Sequence, residues 1–398
     1  MRIAVLAHNL RAAGGLSVGK NVIASLAEVA DEHEYLLFLP TGASYEAVFK
    51  PTRAQCEYYV RRHGGMSQLW FERVTMPRLI REFRADVVWG LGNFGLPCPG
   101  RKQAILVHKP HYIYGREFQR QELWRYSLLN EFGRRRLRRS LPQTQLVFCQ
   151  TRTACDRFRQ TFNYTGRTAL MPNAVSKLSL AGDAAQRPSI FDKLGGRFVL
   201  LCLTKYYAHK NLEVLADLFL QHGDTLQDVT ILLTIDSDQH PRAGRLIARL
   251  DDPRLRGRLV NVGPIDQSEL VGYYHHCDGL ILPTLLESFS GTYLEAMQFQ
   301  RPILTSDLDF ARDVCGPAAR YFDPGNPASI RDAILALKTS APEREALIAE
   351  GNRRMKSFFR NWDTIVADAV RELQSLVVDD LQPAASGLVP SVSIASKG

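Results

Sequence analysis

Short apolar runs alternate along this chain with longer stretches in which apolar positions recur every three or four residues. The runs are rich in β-branched and aromatic residues, which is the pattern of buried strands. In the first half they predict strands at Arg2–Ala7, Tyr35–Leu39, Asp86–Trp89, Gln103–Val107, Leu146–Cys149 and Thr168–Leu170. In the second half they predict Phe198–Leu203, Val229–Ile235, Leu259–Val262, Gly279–Leu282, Pro302–Thr305 and Arg320–Phe322. Apolar strands separated by helices predict an α/β fold of parallel sheets covered on both faces. The alternation pauses between Ser176 and Arg197, a stretch rich in Gly, Ala, Ser and charge that contains Pro188. A linker belongs there. The expected division is a first domain at 1–180, a linker at 181–197 and a second domain at 198–360. A helix over 361–378 is expected to pack back on the first domain, and 379–398 lacks periodicity, as a disordered tail does. Two doubly wound domains would turn their strand C-terminal ends toward a shared cleft.

Composition narrows the class. At 398 residues the chain exceeds one ordinary core. Hydrophobic content of 45% and charged content of 23% suit a globular enzyme. No apolar run approaches the ~20 residues that cross a bilayer. The opening Met1-Arg-Ile-Ala-Val-Leu-Ala-His8 reads as a strand, too short in its apolar part for a secretory signal. The seven cysteines, Cys56, Cys98, Cys149, Cys155, Cys202, Cys277 and Cys315, are scattered without a C-x-x-C pair. They are expected as buried thiols in a reducing cytoplasm.

A formal net charge of +9 asks for an anionic partner. Arg116, Arg120, Arg125, Arg134, Arg135, Arg136, Arg138 and Arg139 crowd one segment, against only Glu117, Glu122 and Glu131. Leu123, Tyr126, Leu129, Phe132 and Leu137 are interleaved at helical spacing. One reading is a surface helix whose apolar face packs on the core while its arginines stand in water. The other is a helix lying on an anionic membrane surface.

The most informative stretch is Leu282-Pro-Thr-Leu-Leu-Glu287-Ser-Phe-Ser-Gly-Thr-Tyr-Leu-Glu295-Ala-Met297. A strand breaks at Pro283, passes through a small polar loop and opens a helix near Thr292. Free N–H groups at such a helix start suit a phosphate, whereas the two carboxylates suit neutral sugar hydroxyls. A capping box of Thr292 with Glu295 is the competing reading.

Other candidates follow strand ends. Gly14-Gly15 comes after the first strand, where glycine lets backbone approach a ligand, or merely turns the chain. Lys205 and Lys210 stand five residues apart in Lys205-Tyr-Tyr-Ala-His-Lys210-Asn211, a pair that could clamp a diphosphate or stand solvated. His108 and His111 close a strand of the first half.

Several patterns mislead. Gly90-Leu-Gly92-Asn-Phe-Gly95 matches G-x-G-x-x-G, but Leu-Pro-Cys-Pro-Gly follows and cannot open the helix that a dinucleotide site requires. It is expected to be a loop lining the cleft. Asp236-Ser-Asp238 and Asp307-Leu-Asp309 look like metal pairs, yet the lysines could supply the positive charge. His275, His276 and Cys277 are neighbours and cannot easily converge on one ion.

The Glu287–Glu295 stretch resembles the Glu-x7-Glu signature of retaining glycosyltransferases of family 4. It has Glu287-Ser288-Phe289-Ser290 where Glu-Gly-Phe-Gly is usual. The likeness is strongest from Leu201 to Pro327. It implies two doubly wound, Rossmann-like domains facing across a cleft, the GT-B fold. It further implies transfer of a sugar from a nucleoside diphosphate sugar to an acceptor hydroxyl, with retention, without a metal and with no cofactor beyond the donor. The diphosphate would leave from the front face and help deprotonate the acceptor.

By the same likeness, catalysis falls to His108 (with His111 in reserve), Lys210 and Glu287. Glu287 would meet the donor sugar and Glu295 the ribose, while Ser290, Gly291 and Thr292 take phosphate. Lys205 replaces the usual Arg beside Lys210. Gly14 and Gly15 edge the cleft, and Pro264 and Ile265 lie near the nucleobase. The partners implied are a nucleotide sugar and a glycan or lipid-linked acceptor, in polysaccharide or glycolipid synthesis. Alternatives are a two-domain nucleotide-sugar epimerase, or a basic nucleic-acid-binding protein. The second lacks a recognition motif or stacking aromatics.

Overall fold

The computed structural model describes residues 1–11, 13–29, 33–43, 45, 55–60, 67, 70–98, 100–114, 124–175, 187–266, 268–357 and 360–378, with the side chains at 13, 29, 55–60 and 124–126 outside the description. Among these residues the first sheet contains β1 (Arg2–Leu6), β2 (Glu34–Pro40), β3 (Gln55–Val60), β4 (Val87–Gly90), β5 (Lys102–Val107), β6 (Leu146–Cys149) and β7 (Arg167–Leu170). The second contains β8 (Phe198–Cys202), β9 (Val229–Leu233), β10 (Leu259–Asn261), β11 (Gly279–Leu282), β12 (Ile303–Ser306) and β13 (Ala319–Phe322). Their orders are β3-β2-β1-β4-β5-β6-β7 and β10-β9-β8-β11-β12-β13. Every pairing is parallel. Strand order therefore reverses beside β1 and again beside β8, and a crevice opens beyond the strand C-termini at each reversal. The fold is the two-Rossmann, doubly wound α/β arrangement.

β3 escapes the apolar pattern. Among the described residues it pairs only with β2, at the sheet edge, so its sequence Gln-Cys-Glu-Tyr-Tyr-Val mixes polar residues among the apolar ones. The central strands, sealed on both faces, are fully buried runs such as Val87–Gly90 and Gly279–Leu282.

The helix Ala13–Val29 adds Val18, Val22, Ile23 and Leu26 to an apolar cluster that includes Ile3 and Val5 of β1. The same apolar cluster takes Trp362, Ile365, Val366, Ala369, Val370 and Leu373 of the last helix, Trp362–Val378. Ser25 Oγ donates to Asp363 Oδ1 at 2.8 Å at their crossing. The chain thus leaves the second domain and returns to the first. Of the expected linker at 181–197, residues through 186 lie outside the description. Beyond them the reading is corrected. Ile190–Lys193 form a helical turn, and Phe191 is buried 5.9 Å from the Tyr273 ring, inside the second domain. The tail from 379 also lies outside the described residues.

Helix ends join the domains away from the cleft. Tyr114 Oη donates to Asp309 Oδ1 at 3.0 Å, Arg157 Nε to Asp309 Oδ2 at 2.5 Å, and the Thr153 N–H to Asp313 Oδ2 at 2.7 Å. Asp309 therefore has a structural task, as does Asp307, which pairs with Arg312. Asp236 caps its own turn by accepting from the Asp238 N–H at 2.9 Å.

Candidate functional site

Strand C-termini of both sheets surround one cavity of about 890 Å³. The loops after β1, β4, β5, β6 and β7 supply Asn9–Arg11, Gly92–Phe94, His108–His111, Gln150 and Asn173. The loops after β8, β9 and β11 supply Thr204–Lys210, Gln239–His240 and Glu287–Gly291. The G-x-G-x-x-G loop lines the cavity and opens no helix, as expected.

On the C-terminal wall Lys210 Nζ and Glu287 form an ion pair, with side chains only 11% and 15% exposed. Each charge offsets the desolvation of the other, so removing one would strand its partner. Lys210 ends a 3-10 turn, Ala208–Lys210. Asn211 closes it in the left-handed region at φ 57°, its amide donating to the Pro324 carbonyl at 2.8 Å. Lys205 is exposed at the same cavity. The helix Gly291–Gln298 begins one residue before the expected Thr292, with Ser290 as N-cap and no side-chain cap bond. Ser290 and Gly291 line the cavity, with Ser290 Oγ 2.7 Å from Thr292 Oγ1.

The capping-box reading of Glu295 is thereby removed. Glu295 lies two residues past the capping position and accepts from Tyr274 Oη at 3.2 Å. Burial, with Glu295 beside it, raises the Tyr274 pKa. Thr292, Glu295, Pro264 and Ile265 are not among the residues lining the cavity. The last two sit on the loop after β10, two strands from β8.

The N-terminal wall depends on close backbone approach. A Cβ at Gly15 would lie 3.2 Å from His108 Nε2 and 3.3 Å from Leu10 Cδ2, whereas one at Gly14 would meet nothing within 4 Å. Asn93, in the left-handed region at φ 70°, accepts through Oδ1 from the N–H groups of His108 at 2.8 Å and Lys109 at 2.9 Å. Its amide nitrogen then faces His108 Nε2 at 3.4 Å, which makes Nε2 the acceptor and leaves the ring proton on Nδ1. Nδ1 is buried without a hydrogen-bond partner among the described residues. Burial, aided by the Lys109 charge, lowers the His108 pKa to about 4, so the ring is neutral. His111 packs edge-on to His209 of the other domain, ring centroids 4.8 Å apart.

Three contributors went unread in the sequence: Asn93, the hydroxyl of Ser288, and a buried charge network. In the last, His8 Nε2 lies 3.2 Å from Glu72 Oε1, and Arg136 Nη2 donates to Glu72 Oε2 at 2.5 Å. Glu72 belongs to a π-helical turn, Phe71–Thr75, and the Arg136 guanidinium stacks 4.4 Å over Phe94. A lone Glu in an apolar helical stretch was the available signal.

Arg136 belongs to the helix Trp124–Ser140, which meets the first reading of the basic segment only in part: Arg135, Arg138 and Arg139 do stand exposed. Arg116, Arg120 and Leu123 lie outside the described residues, as do the side chains of Arg125 and Tyr126. Leu137 is buried and Arg136 turns inward, but Leu128, Leu129 and Phe132 are 61%, 63% and 61% exposed. Asn130, on the inner face, lines the cavity. His276 Nδ1 lies 2.8 Å from the Gly272 carbonyl, and burial pushes the Cys277 thiol up to about 12. These two residues are thus spent locally. The six cysteines with described side chains are buried and free.

Residues 186–354 match the family model of glycosyl transferases group 1. A phosphatidyl-myo-inositol mannosyltransferase of Mycobacterium leprae (strain TN) is 25% identical over 217 residues, 52% of this chain and 53% of that protein. The chain therefore matches about half the length of this curated relative. Sucrose-phosphate synthase from Thermosynechococcus elongatus superposes with a TM-score of 0.72 at 17% identity, over 95% of this chain and 100% of that one. Anabaena HepE in complex with UDP-glucose gives 0.70 at 14%, over 94% and 100%. The motif-based likeness to family 4 stands, and the frame is the two-Rossmann GT-B fold. The match to the group 1 glycosyl transferase model falls within its second domain.

Proposed function

We propose that the chain is a retaining, metal-independent hexosyltransferase acting on a nucleoside diphosphate sugar and an acceptor hydroxyl. The observation that carries this reading is the Lys210–Glu287 pair, seated beside the Ser290–Gly291 helix start and opposite Gly15 and His108 in one cavity. A diphosphate leaving the sugar gains charge as its bond breaks, and a fixed cation with helix N–H groups favours that change. Lys210 and the more exposed Lys205 supply the charge. Glu287 orients Lys210 and offers an oxygen to a sugar hydroxyl; Glu295, outside the residues that line the cavity, is assigned to the ribose by the family likeness alone. A neutral His108 with a pKa near 4 is too weak a base to take the acceptor proton at neutral pH. It orients a donor hydroxyl, and the departing diphosphate oxygen accepts the proton from the acceptor.

The exposed face of the Trp124–Ser140 helix supports an acceptor presented at an anionic membrane surface, as in polysaccharide or glycolipid synthesis at the inner face of the membrane. Leu128, Leu129 and Phe132 stand beside exposed Arg135, Arg138 and Arg139. Basic side chains near such a surface contribute about 1 kcal/mol each. Lipid is favoured over nucleic acid because exposed Leu and Phe gain nothing from a phosphodiester chain.

The deciding experiment incubates the protein with a panel of nucleotide sugars, with and without glycan and lipid-linked acceptors. Diphosphate release and the anomeric configuration of the product are the readouts. Release that depends on an acceptor, survives excess EDTA and yields a retained anomer meets the proposal. Inversion, or a strict Mn²⁺ or Mg²⁺ requirement, overturns the corresponding part. Co-sedimentation with anionic vesicles should fall when Arg134, Arg135, Arg138 and Arg139 are all changed to Gln. Equal pelleting of both proteins removes the membrane.

A further inference from the structure

We infer that Ser288 is a positioning residue that latches the two domains shut over the cavity, a role that rests on the nucleotide-sugar reading above. Ser288 follows Glu287 in the loop after β11 and is 4% exposed. Its hydroxyl donates to the His108 carbonyl at 2.6 Å and lies 3.0 Å from Gln150 Oε1. Gln150 Nε2 in turn donates to Asn173 Oδ1 at 2.7 Å. His108, Gln150 and Asn173 follow β5, β6 and β7, so one hydroxyl of the second domain is held by the first across the cleft.

The placement matters more than the number of bonds. Ser288 is the immediate neighbour of Glu287, which holds Lys210. The carbonyl it grips belongs to His108 itself. One buried bond thus ties the segment that carries the Glu287–Lys210 pair directly to the segment that carries the His108 ring. The other inter-domain hydrogen bonds described above, through Asp309 and Asp313, involve groups that do not line the cavity. A glycine, usual at this position of the signature, has no atom that could reach the His108 carbonyl. Opening the cleft would leave the hydroxyl without its protein acceptors, so the bond belongs to the shut arrangement alone. One such bond shifts an open–shut equilibrium by about fivefold.

The test is hydrogen–deuterium exchange on the full chain with UDP as probe, comparing wild type with Ser288→Ala, Ser288→Gly and Gln150→Ala. Both Ser288 variants should speed exchange about fivefold in the loop 284–291 and, in the other domain, at residues 105–109. Exchange in β9 should not move. Adding Gln150→Ala to Ser288→Ala should change little more, because both act through the same latch. Faster exchange confined to 284–291, or independent additive effects, overturns the latch and leaves Ser288 a local loop residue. The kinetic arm uses UDP-glucose, or whichever nucleotide sugar the wild type turns over. There kcat/KM for diphosphate release should fall about fivefold in Ser288→Ala. If the wild type turns over no nucleotide sugar while the exchange pattern still changes in both domains, the transferase reading falls and the latch stands. If turnover is normal in Ser288→Ala and exchange is unchanged, the latch falls and the transferase reading stands.

Discussion

The two walls of the cleft share a strand order but are made by different means. The C-terminal wall carries its chemistry on side chains and helix N–H groups that follow two central strands: Lys205 and Lys210 after β8, Glu287 to Gly291 after β11. The N-terminal wall is shaped by backbone proximity, with Gly15 against the His108 ring and Asn93 clamping the His108 and Lys109 amides. Charge recognition can be held by a few residues at fixed spacing, so it leaves a linear signature. Shape made by close approach leaves mostly glycines, which many loops contain. The family match accordingly covers 186–354 and stops short of the first domain.

Substitutions on each wall can break this contrast. The largest effect is expected for Lys210→Ala, which removes the fixed cation and strands Glu287 in a mostly buried position. Turnover at saturating donor should fall about 100- to 1000-fold. An unchanged rate in a protein with wild-type circular dichroism would overturn the clamp.

His108 comes next. Its folded pKa, near 4, is below the ordinary 6.5, so the unfolded chain binds the proton more readily between those values. Stability should therefore be lost as pH falls from 6.5 toward 4, by on the order of 2–3 kcal/mol. Urea unfolding of His108→Gln should lack this component. Identical pH profiles for the two proteins mean that the ring is not held neutral.

Smaller again is Gly15→Ala. The added methyl presses on His108 Nε2 and Leu10, and a roughly tenfold loss of turnover is expected from the displaced ring. Gly14→Ala should match wild type, and equal loss at both glycines contradicts the account of the N-terminal wall.

The smallest stability effect is expected for Glu295→Gln, since an amide oxygen can still accept from Tyr274 Oη. Its unfolding free energy should stay within about 0.5 kcal/mol of wild type. Affinity for UDP by calorimetry should drop about fivefold if the carboxylate serves the ribose. Unchanged affinity ends that role.

Legibility followed the same division. The central strands were readable to within a residue or two because burial on both faces forces continuous apolar runs, as in Val199–Cys202. β3 was not, because an edge strand need not be apolar throughout. Lys210, Glu287 and Ser290 could be named from their spacing together with the family likeness, and they do meet at one cavity. Asn93 could not, because its part depends on a left-handed backbone and on two amides that only the folded loop brings to it. Ser288 looked like a mere departure from a pattern until its hydroxyl had a carbonyl to face. The basic helix misled for a related reason. Helical spacing fixes which residues share a face but not which face turns inward, and buried Glu72 draws Arg136 toward the core and leaves Phe132 outside.

The last helix has a consequence for how the protein is made. Trp362, Val366 and Val370 complete the apolar cluster that contains Val22, Ile23 and Leu26. A ribosome releases residues 1–175 long before it reaches Trp362, with the whole second domain in between. The nascent first domain must wait with part of its apolar flank open, in the state that invites aggregation and chaperone capture. Among the described residues, the core of the second domain draws on nothing later than its own helix Ala341–Ser357. A premature stop after that helix would thus leave the downstream domain sound and damage the upstream one.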